Sequence, residues 1–192
     1  MNLGRKILVV GANGSGKTTF AEKLSKILSI THYELDNIFW KPDWKESVNE
    51  EFRAKVDEVT LADSWVIDGN YSRNQDLTIS RADTIIWLDV PYMKMLYRVT
   101  KRSIYRIITQ KPLWHNNRES IGSLFSKKSI VLFASRTYGS KNVKYNRLIC
   151  GSEFAGKKWI RIKSNREERR FWREINSSDD GQSQSCLKSS DE

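Results

Sequence analysis

The feature that most constrains this chain is a glycine-rich turn set between two different hydrophobic periods. Lys6-Ile7-Leu8-Val9-Val10 is a short, β-branched apolar run ended by Gly11, the pattern of a strand buried on both faces. Beyond the turn, apolar side chains recur at Phe20, Ala21, Leu24, Ile27 and Leu28, the spacing of an amphipathic helix. The turn itself, Gly11-Ala12-Asn13-Gly14-Ser15-Gly16-Lys17-Thr18, satisfies G-x-x-x-x-G-K-[ST] in the strand-to-helix setting that gives the motif its meaning. Its glycines let successive backbone N–H groups point inward at the positive end of a helix, which makes a nest for phosphate. Gly11, Asn13, Gly14, Ser15, Gly16, Lys17, Thr18 and Thr19 are therefore the expected phosphate-binding residues. Lys17 is placed to reach the β- and γ-phosphates of a nucleotide, and the Thr18 hydroxyl to ligate Mg²⁺.

Further apolar runs follow at residues 31–35, 65–67, 84–88 and 159–162, with helical patterns at 48–61, 92–109 and 166–175. Alternation of strand and helix predicts a three-layer α/β/α sandwich on a five-stranded parallel sheet. The chain of 192 residues is long enough for one such domain, expected over 1–175. Residues 110–147 stand outside the alternation and predict a basic, lid-like excursion with a helix around 121–135. The polar segment 176–192 predicts a disordered tail. Two cysteines, Cys150 and Cys186, form no zinc or disulfide pattern, and no apolar run approaches the ~20 residues that cross a bilayer. The expectation is a cytoplasmic protein, monomer or homodimer, with no membrane partner.

The phosphate loop, the aspartates Asp68 and Asp89 that end later strands, and the basic excursion together resemble the nucleoside-monophosphate-kinase branch of P-loop proteins, adenylate kinase above all. Within that branch, Leu35-Asp36-Asn37-Ile38-Phe39-Trp40, Trp65-Val66-Ile67-Asp68-Gly69-Asn70-Tyr71-Ser72 and Trp114-His115-Asn116-Asn117-Arg118-Glu119 resemble adenylate-kinase-related proteins often labelled DNA topology modulation proteins. The resemblance covers residues 5 to about 173 and implies ATP as phosphoryl donor with Mg²⁺ as cofactor. It implies that Asp68, in the pair Asp68-Gly69, stands near the water shell of the metal. Arg73 sits one residue beyond the arginine that meets the acceptor phosphate in that family. Asp89-Val90-Pro91 is followed by Arg98 and Arg102 at the offsets where the family places two arginines on the transferred phosphoryl group. Glu34-Leu35-Asp36 resembles an acid-x-acid pair of shikimate and gluconate kinases, in which the first acid holds a metal-bound water and the second meets the acceptor hydroxyl. Asn70 and Tyr71 fall where acceptor contacts occur in this fold.

The physical case runs beside the resemblance. Phosphoryl transfer is catalysed by positioning and by cations around spreading negative charge. Arg98 and Arg102 share one helical face and have planar forks suited to phosphate, while Arg118 and Arg136 are candidates for a lid that excludes water. Asp36 either orients an alcohol or caps the following helix. Phe39, Trp40, Trp44 and Trp114 either pack in the core or line a ligand pocket. The net charge of +10 is concentrated in residues 92–170, with 20 Lys/Arg against 4 Asp/Glu, so this stretch faces something anionic. The leading expectation is an ATP-dependent kinase acting on a small-molecule or nucleotide acceptor. Its rival is a nucleotide-dependent DNA-binding protein affecting DNA topology, for which no helix-turn-helix, zinc finger or RNA-binding signature is present.

Overall fold

The structure, a computed structural model, describes residues 1–122, 129–151, 154 and 156–187, with backbone only from 178 onward. Five strands form the sheet: β1 (Lys6–Gly11), β2 (His32–Glu34), β3 (Trp65–Asp68), β4 (Thr84–Leu88) and β5 (Lys158–Ile162). They pair in the order β2-β3-β1-β4-β5, and every pairing is parallel. This is the α/β architecture expected from the alternation. The chain reverses its direction of winding between β1 and β4, so the turn after β1 opens at the crevice where ligands bind in open α/β sheets.

Both faces of the sheet are covered because successive strand residues point opposite ways. Ile7 and Val9 join Phe20, Ala21, Leu24, Phe171 and Trp172 on one face, under α1 (Lys17–Leu28) and the last helix, α7 (Asn165–Leu187). Leu8 and Val10 face the other way, to Leu35, Phe39, Phe52, Val56 and Leu77. That layer is built from α2 (Leu35–Phe39), α3 (Asn49–Leu61) and α4 (Gln75–Arg81). The short helices α2 and α4 escape a periodicity reading, since neither completes two full turns.

α5 (Tyr92–Thr109) matches its expected span, with Met95, Val99, Ser103 and Ile107 buried. Of the helix expected around 121–135, residues 121–122 are helical, 123–128 lie outside the described residues, and from Ile130 the chain is in α6 (Ile130–Cys150), which runs well past the expected end. Ala134, Tyr138, Lys141, Tyr145 and Leu148 follow one another at three- and four-residue steps, a stripe that the density of Lys and Arg hides. Ala134 joins Ala12, Met95 and Val99 in a small core that seats α5 and α6 beside the phosphate loop. The terminal helix also differs from its expected span of 166–175. It continues to Leu187 into the segment read as a disordered tail, with Ile175 buried and Ser177 Oγ donating to the Arg173 carbonyl at 2.7 Å. Adding turns to a formed helix requires no new nucleation. Residues 188–192 lie outside the described residues.

Ile86, fully buried at the centre of β4, spans the junction between β1 and β5. Ile86→Ala is expected to lower stability by about 2–5 kcal/mol, read as a lower urea midpoint with an unchanged denaturant slope.

Candidate active site

The loop Gly11–Thr18 folds over a tight turn in which the Ser15 N–H donates to the Ala12 carbonyl at 3.0 Å. Gly14 adopts φ +81°, and a Cβ there would lie 2.9 Å from the Met95 carbonyl oxygen and 3.1 Å from Val99 Cβ. Glycine is thus required both for the backbone shape and for the approach of α5. Gly16 caps α1 in the left-handed region without a side-chain cap, which leaves the first-turn amides to an anion. Ser15 Oγ is buried with no hydrogen-bond partner among the described residues. Asn70 clamps the start of the loop: its Oδ1 accepts from the Gly11 N–H at 3.2 Å, and its Nδ2 donates to the Gly11 carbonyl. The Tyr145 hydroxyl donates to the same Oδ1 at 2.7 Å. The sequence reading assigned Asn70 to the acceptor; in the fold it is engaged with the backbone of the phosphate loop.

The register of the sheet brings the acids together. Glu34 pairs with Asp68 across β2 and β3, both at the carboxyl edge of the sheet beside Thr18. The Thr18 hydroxyl donates to Asp68 Oδ2 at 2.8 Å and lies 3.4 Å from Glu34 Oε1. His32 Nε2 lies 2.7 Å from Asp68 Oδ1, a partner the sequence reading missed; its position two residues before Glu34 on the same strand face is the signal that finds it. A hydroxyl and two carboxylates form an oxygen donor set suited to a hard divalent cation. Among the described residues no cluster of three His, Cys, Asp or Glu side chains makes a cage. That combination fits Mg²⁺ held through waters and phosphates, as it is in nucleotide sites.

Burial raises the pKa of the Glu34 carboxyl; the Trp114 indole N–H, donating to Glu34 Oε2 at 2.7 Å, opposes this, while Asp68 and Asp36 add to it.

Opposite the acids stand the cations. Arg98 Nη1 donates to the Ser15 carbonyl at 3.1 Å, and Arg98 and Arg102 both line a cavity of about 360 Å³ beside the loop. Thr19, Phe20, Lys23, Ser164 and Trp172 also border it, so the segment after β5 forms its far wall. Arg102 keeps solvent-accessible surface, while desolvation by the cleft walls and the neighbouring Arg106 lower its pKa, against Glu119, Asp36 and Glu34. Lys141, which the sequence reading did not single out, reaches the loop from α6, its Nζ 3.3 Å from Asn13 Oδ1. Burial and the charge of Lys17 lower its pKa to about 8. The stripe of α6 on which Lys141 lies is the signal that locates it.

Asp36 stands in the first turn of α2, after β2 has ended at Glu34. It does not cap the helix; its Oδ1 accepts from the Tyr71 hydroxyl at 2.6 Å, and burial and Asp36 raise the Tyr71 pKa. The 113–119 loop lies on this side of the cleft. Trp114 bonds Glu34, the Asn117 side chain bridges the Lys41 carbonyl and the Trp44 N–H at 2.9 Å each, and Trp44 Nε1 donates to the Arg118 carbonyl at 3.1 Å. Arg118 and Arg136 are exposed at their side chains. Arg73 is exposed, donates to Asn49 Oδ1 and lies over the Phe39 ring.

No known family profile matches the chain. Among curated proteins, the uncharacterized protein YqaC of Bacillus subtilis is 28% identical over 104 residues, which span 53% of this chain and 58% of that relative. An adenylate kinase of Ureaplasma parvum serovar 3 is 28% identical over 144 residues, 57% of this chain and 67% of that enzyme. Among solved structures, shikimate kinase from Acinetobacter baumannii in complex with shikimate superposes with a TM-score of 0.55 at 16% identity, covering 91% of this chain and 94% of that one. A gluconokinase from Sinorhizobium meliloti 1021 superposes at 0.52 with 12% identity over 99% of both chains. The chain thus has the P-loop α/β fold of the nucleoside-monophosphate-kinase-like group.

Asn70→Ala strands the Gly11 N–H, the Gly11 carbonyl and the Tyr145 hydroxyl. It is expected to cost about 1–3 kcal/mol of stability, measured by thermal or urea unfolding against Asn70→Asp, which retains an acceptor for the two donors.

Proposed function

We propose that the protein is an ATP- and Mg²⁺-dependent kinase that transfers the γ-phosphoryl group to a small-molecule or nucleotide acceptor. The observation that carries this reading is the disposition of Arg98, Arg102 and Lys141 on the cradle side of the cleft, with Asp36 within electrostatic reach of Arg102 and Lys141. The loop amides and Lys17 hold the β- and γ-phosphates, and the adenosine end extends along the cavity towards Ser164 and Trp172. When bound through Thr18 with Asp68 and Glu34 acting through water, Mg²⁺ supplies charge neutralisation of the phosphates.

Asp36 accepts the proton of the acceptor hydroxyl as its oxygen bonds to the γ-phosphorus and the bond to the β-phosphate bridging oxygen breaks, leaving ADP. The Tyr71 hydroxyl, bonded to one oxygen of Asp36, holds that carboxylate in place. Arg98 and Arg102 meet the charge that spreads over the equatorial oxygens, where preorganised cations stabilise the transition state. His32, bonded to Asp68, fixes the carboxylate that faces Thr18.

The DNA-binding reading draws its support from the basic central stretch, yet Arg98, Arg102 and Lys141, three of its charges, are engaged by the cleft. Among the described residues no helix is long and apolar enough to cross a membrane.

Lys17→Ala and Arg98→Ala are each expected to lower acceptor-stimulated ADP formation by about 10²-fold or more, measured in a coupled assay; unchanged turnover overturns the assignment. A second expectation concerns pH. Phosphate bound beside Lys141 favours its ammonium, so nucleotide affinity holds steady below a pH of about 8 and declines above it. Lys141→Met removes that decline at lower affinity, and Lys141→Arg carries full affinity to higher pH because a guanidinium stays charged. Titration of a fluorescent ATP analogue across the alkaline range measures both.

A further inference from the structure

We infer that Trp114 is a positioning residue for the metal site: its indole N–H holds Glu34 in the orientation that serves Mg²⁺, so docking of the 113–119 loop and binding of the metal favour each other. This rests on the kinase reading and its metal, and extends that site to a loop 80 positions away in the chain. The two oxygens of Glu34 have separate surroundings. Oε1 lies 3.4 Å from the Thr18 hydroxyl, on the side of the phosphate loop, whereas Oε2 accepts from Trp114 Nε1 at 2.7 Å. Asp68 stands opposite Glu34 in the β2–β3 register, and Asp36 follows two residues later. Like charges turn a free carboxylate away from one another. A donor on Oε2 opposes that rotation and leaves Oε1 facing Thr18, which is how outer partners orient ligating carboxylates.

The indole is delivered by a turn that several elements hold in place. The buried Asn117 closes it: its N–H donates to the Trp114 carbonyl at 3.1 Å, and its carbonyl accepts from the Leu113 N–H at 2.7 Å. Its side chain then joins the turn to the Lys41 carbonyl and the Trp44 N–H. His115 Nε2 lies 3.1 Å from the Asn37 carbonyl oxygen, and the Trp44 and Trp114 rings meet edge to face at 6.4 Å. Glu119 pairs with Arg106 at 3.1 Å, one turn along α5 from Arg102. Where loop and strap meet, four non-glycine residues adopt the left-handed region: Asp43 and Trp44 at φ +62° and +55°, His115 and Asn116 at φ +54° and +62°. L-residues avoid that region, and they persist there where the surroundings over-determine them. The strained backbone is thus concentrated at the contact that presents Trp114 to Glu34. A loop that completes the metal's outer contacts is in turn held by the metal, since such coupling is reciprocal.

The test uses the full chain and a fluorescent, non-hydrolysable ATP analogue, titrated over a range of Mg²⁺ concentrations and in EDTA. Trp114→Phe keeps a ring and loses the donor. It is expected to raise the Mg²⁺ concentration for half-maximal tight binding about tenfold, while affinity in EDTA stays that of the unaltered protein. Glu34→Gln is expected to raise the Mg²⁺ requirement as well, and Trp114→Phe added to it to change nothing further, because the indole acts through that carboxylate. Hydrogen exchange of the unaltered protein gives a reading that does not depend on how a variant folds. With the analogue bound, Mg²⁺ is expected to slow exchange of the Leu113 and Asn117 amides about fivefold or more, and in Glu34→Gln to leave it unchanged. An unchanged Mg²⁺ requirement in Trp114→Phe, an equal loss of affinity with and without Mg²⁺, independent effects of the two substitutions, or exchange indifferent to Mg²⁺ overturns the inference and leaves the kinase reading standing. An unaltered protein that binds the analogue equally well in EDTA, or does not bind it, overturns both.

Discussion

The positive end of α1, delivered to the carboxyl edge of the central strand, is the constraint on which the rest of the cleft depends. A helix terminus without a side-chain cap leaves amides that need an acceptor, and the curled loop ahead of it turns them to one point. Holding that loop open requires neighbours. Val99 and the Met95 carbonyl press against Gly14, and Asn70 grips Gly11 from β3's far end while Tyr145 grips Asn70 from α6. The loop is thus fixed from three elements distant in sequence, which is how a glycine-rich turn becomes a preorganised site and not a flexible one.

Charge is sorted across the cleft by the same framework. Lys17, Arg98, Arg102 and Lys141 gather on one side, and Glu34, Asp36 and Asp68 on the other. Burial is the main cause of the lowered pKa values of Arg102 and Lys141 and of the raised Glu34, with like charge adding to it: Arg106 beside Arg102, Lys17 beside Lys141, and Asp68 and Asp36 beside Glu34. Such opposed clusters are costly on their own and become favourable once counter-charges lie between them. The 113–119 loop adds a second layer of order by pinning Trp114 to Glu34 and Asn117 to the strap around Trp44. Within the span 110–147 the described residues place the 113–119 loop against Glu34 and Trp44 and α6 beside the phosphate loop.

Several candidate positions were readable from spacing because their geometry is local. Lys17 and Thr18 are fixed by the turn that contains them, and Arg98 and Arg102 share a face of one helix. Asp68 ends a strand whose neighbours in the sheet follow from alternation. Asn70, His32 and Lys141 were less legible. Asn70 sits in the expected region but bonds the loop, which depends on where β1 ends relative to β3. His32 acquires its partner only through the β2–β3 register, and Lys141 lies on a helix whose apolar stripe is masked by surface charge.

The sequence by itself determined the phosphate loop, the parallel α/β layering and the helix that carries the two arginines, because each arises from periodicity or from contacts within a few residues. Tertiary structure alone decided which cations reach the loop, that Tyr71 bonds Asp36, and that Trp114 closes on Glu34 from 80 positions away. Those outcomes depend on strand order and helix packing, where a side chain's surroundings are supplied by segments that its own neighbours in the chain do not specify.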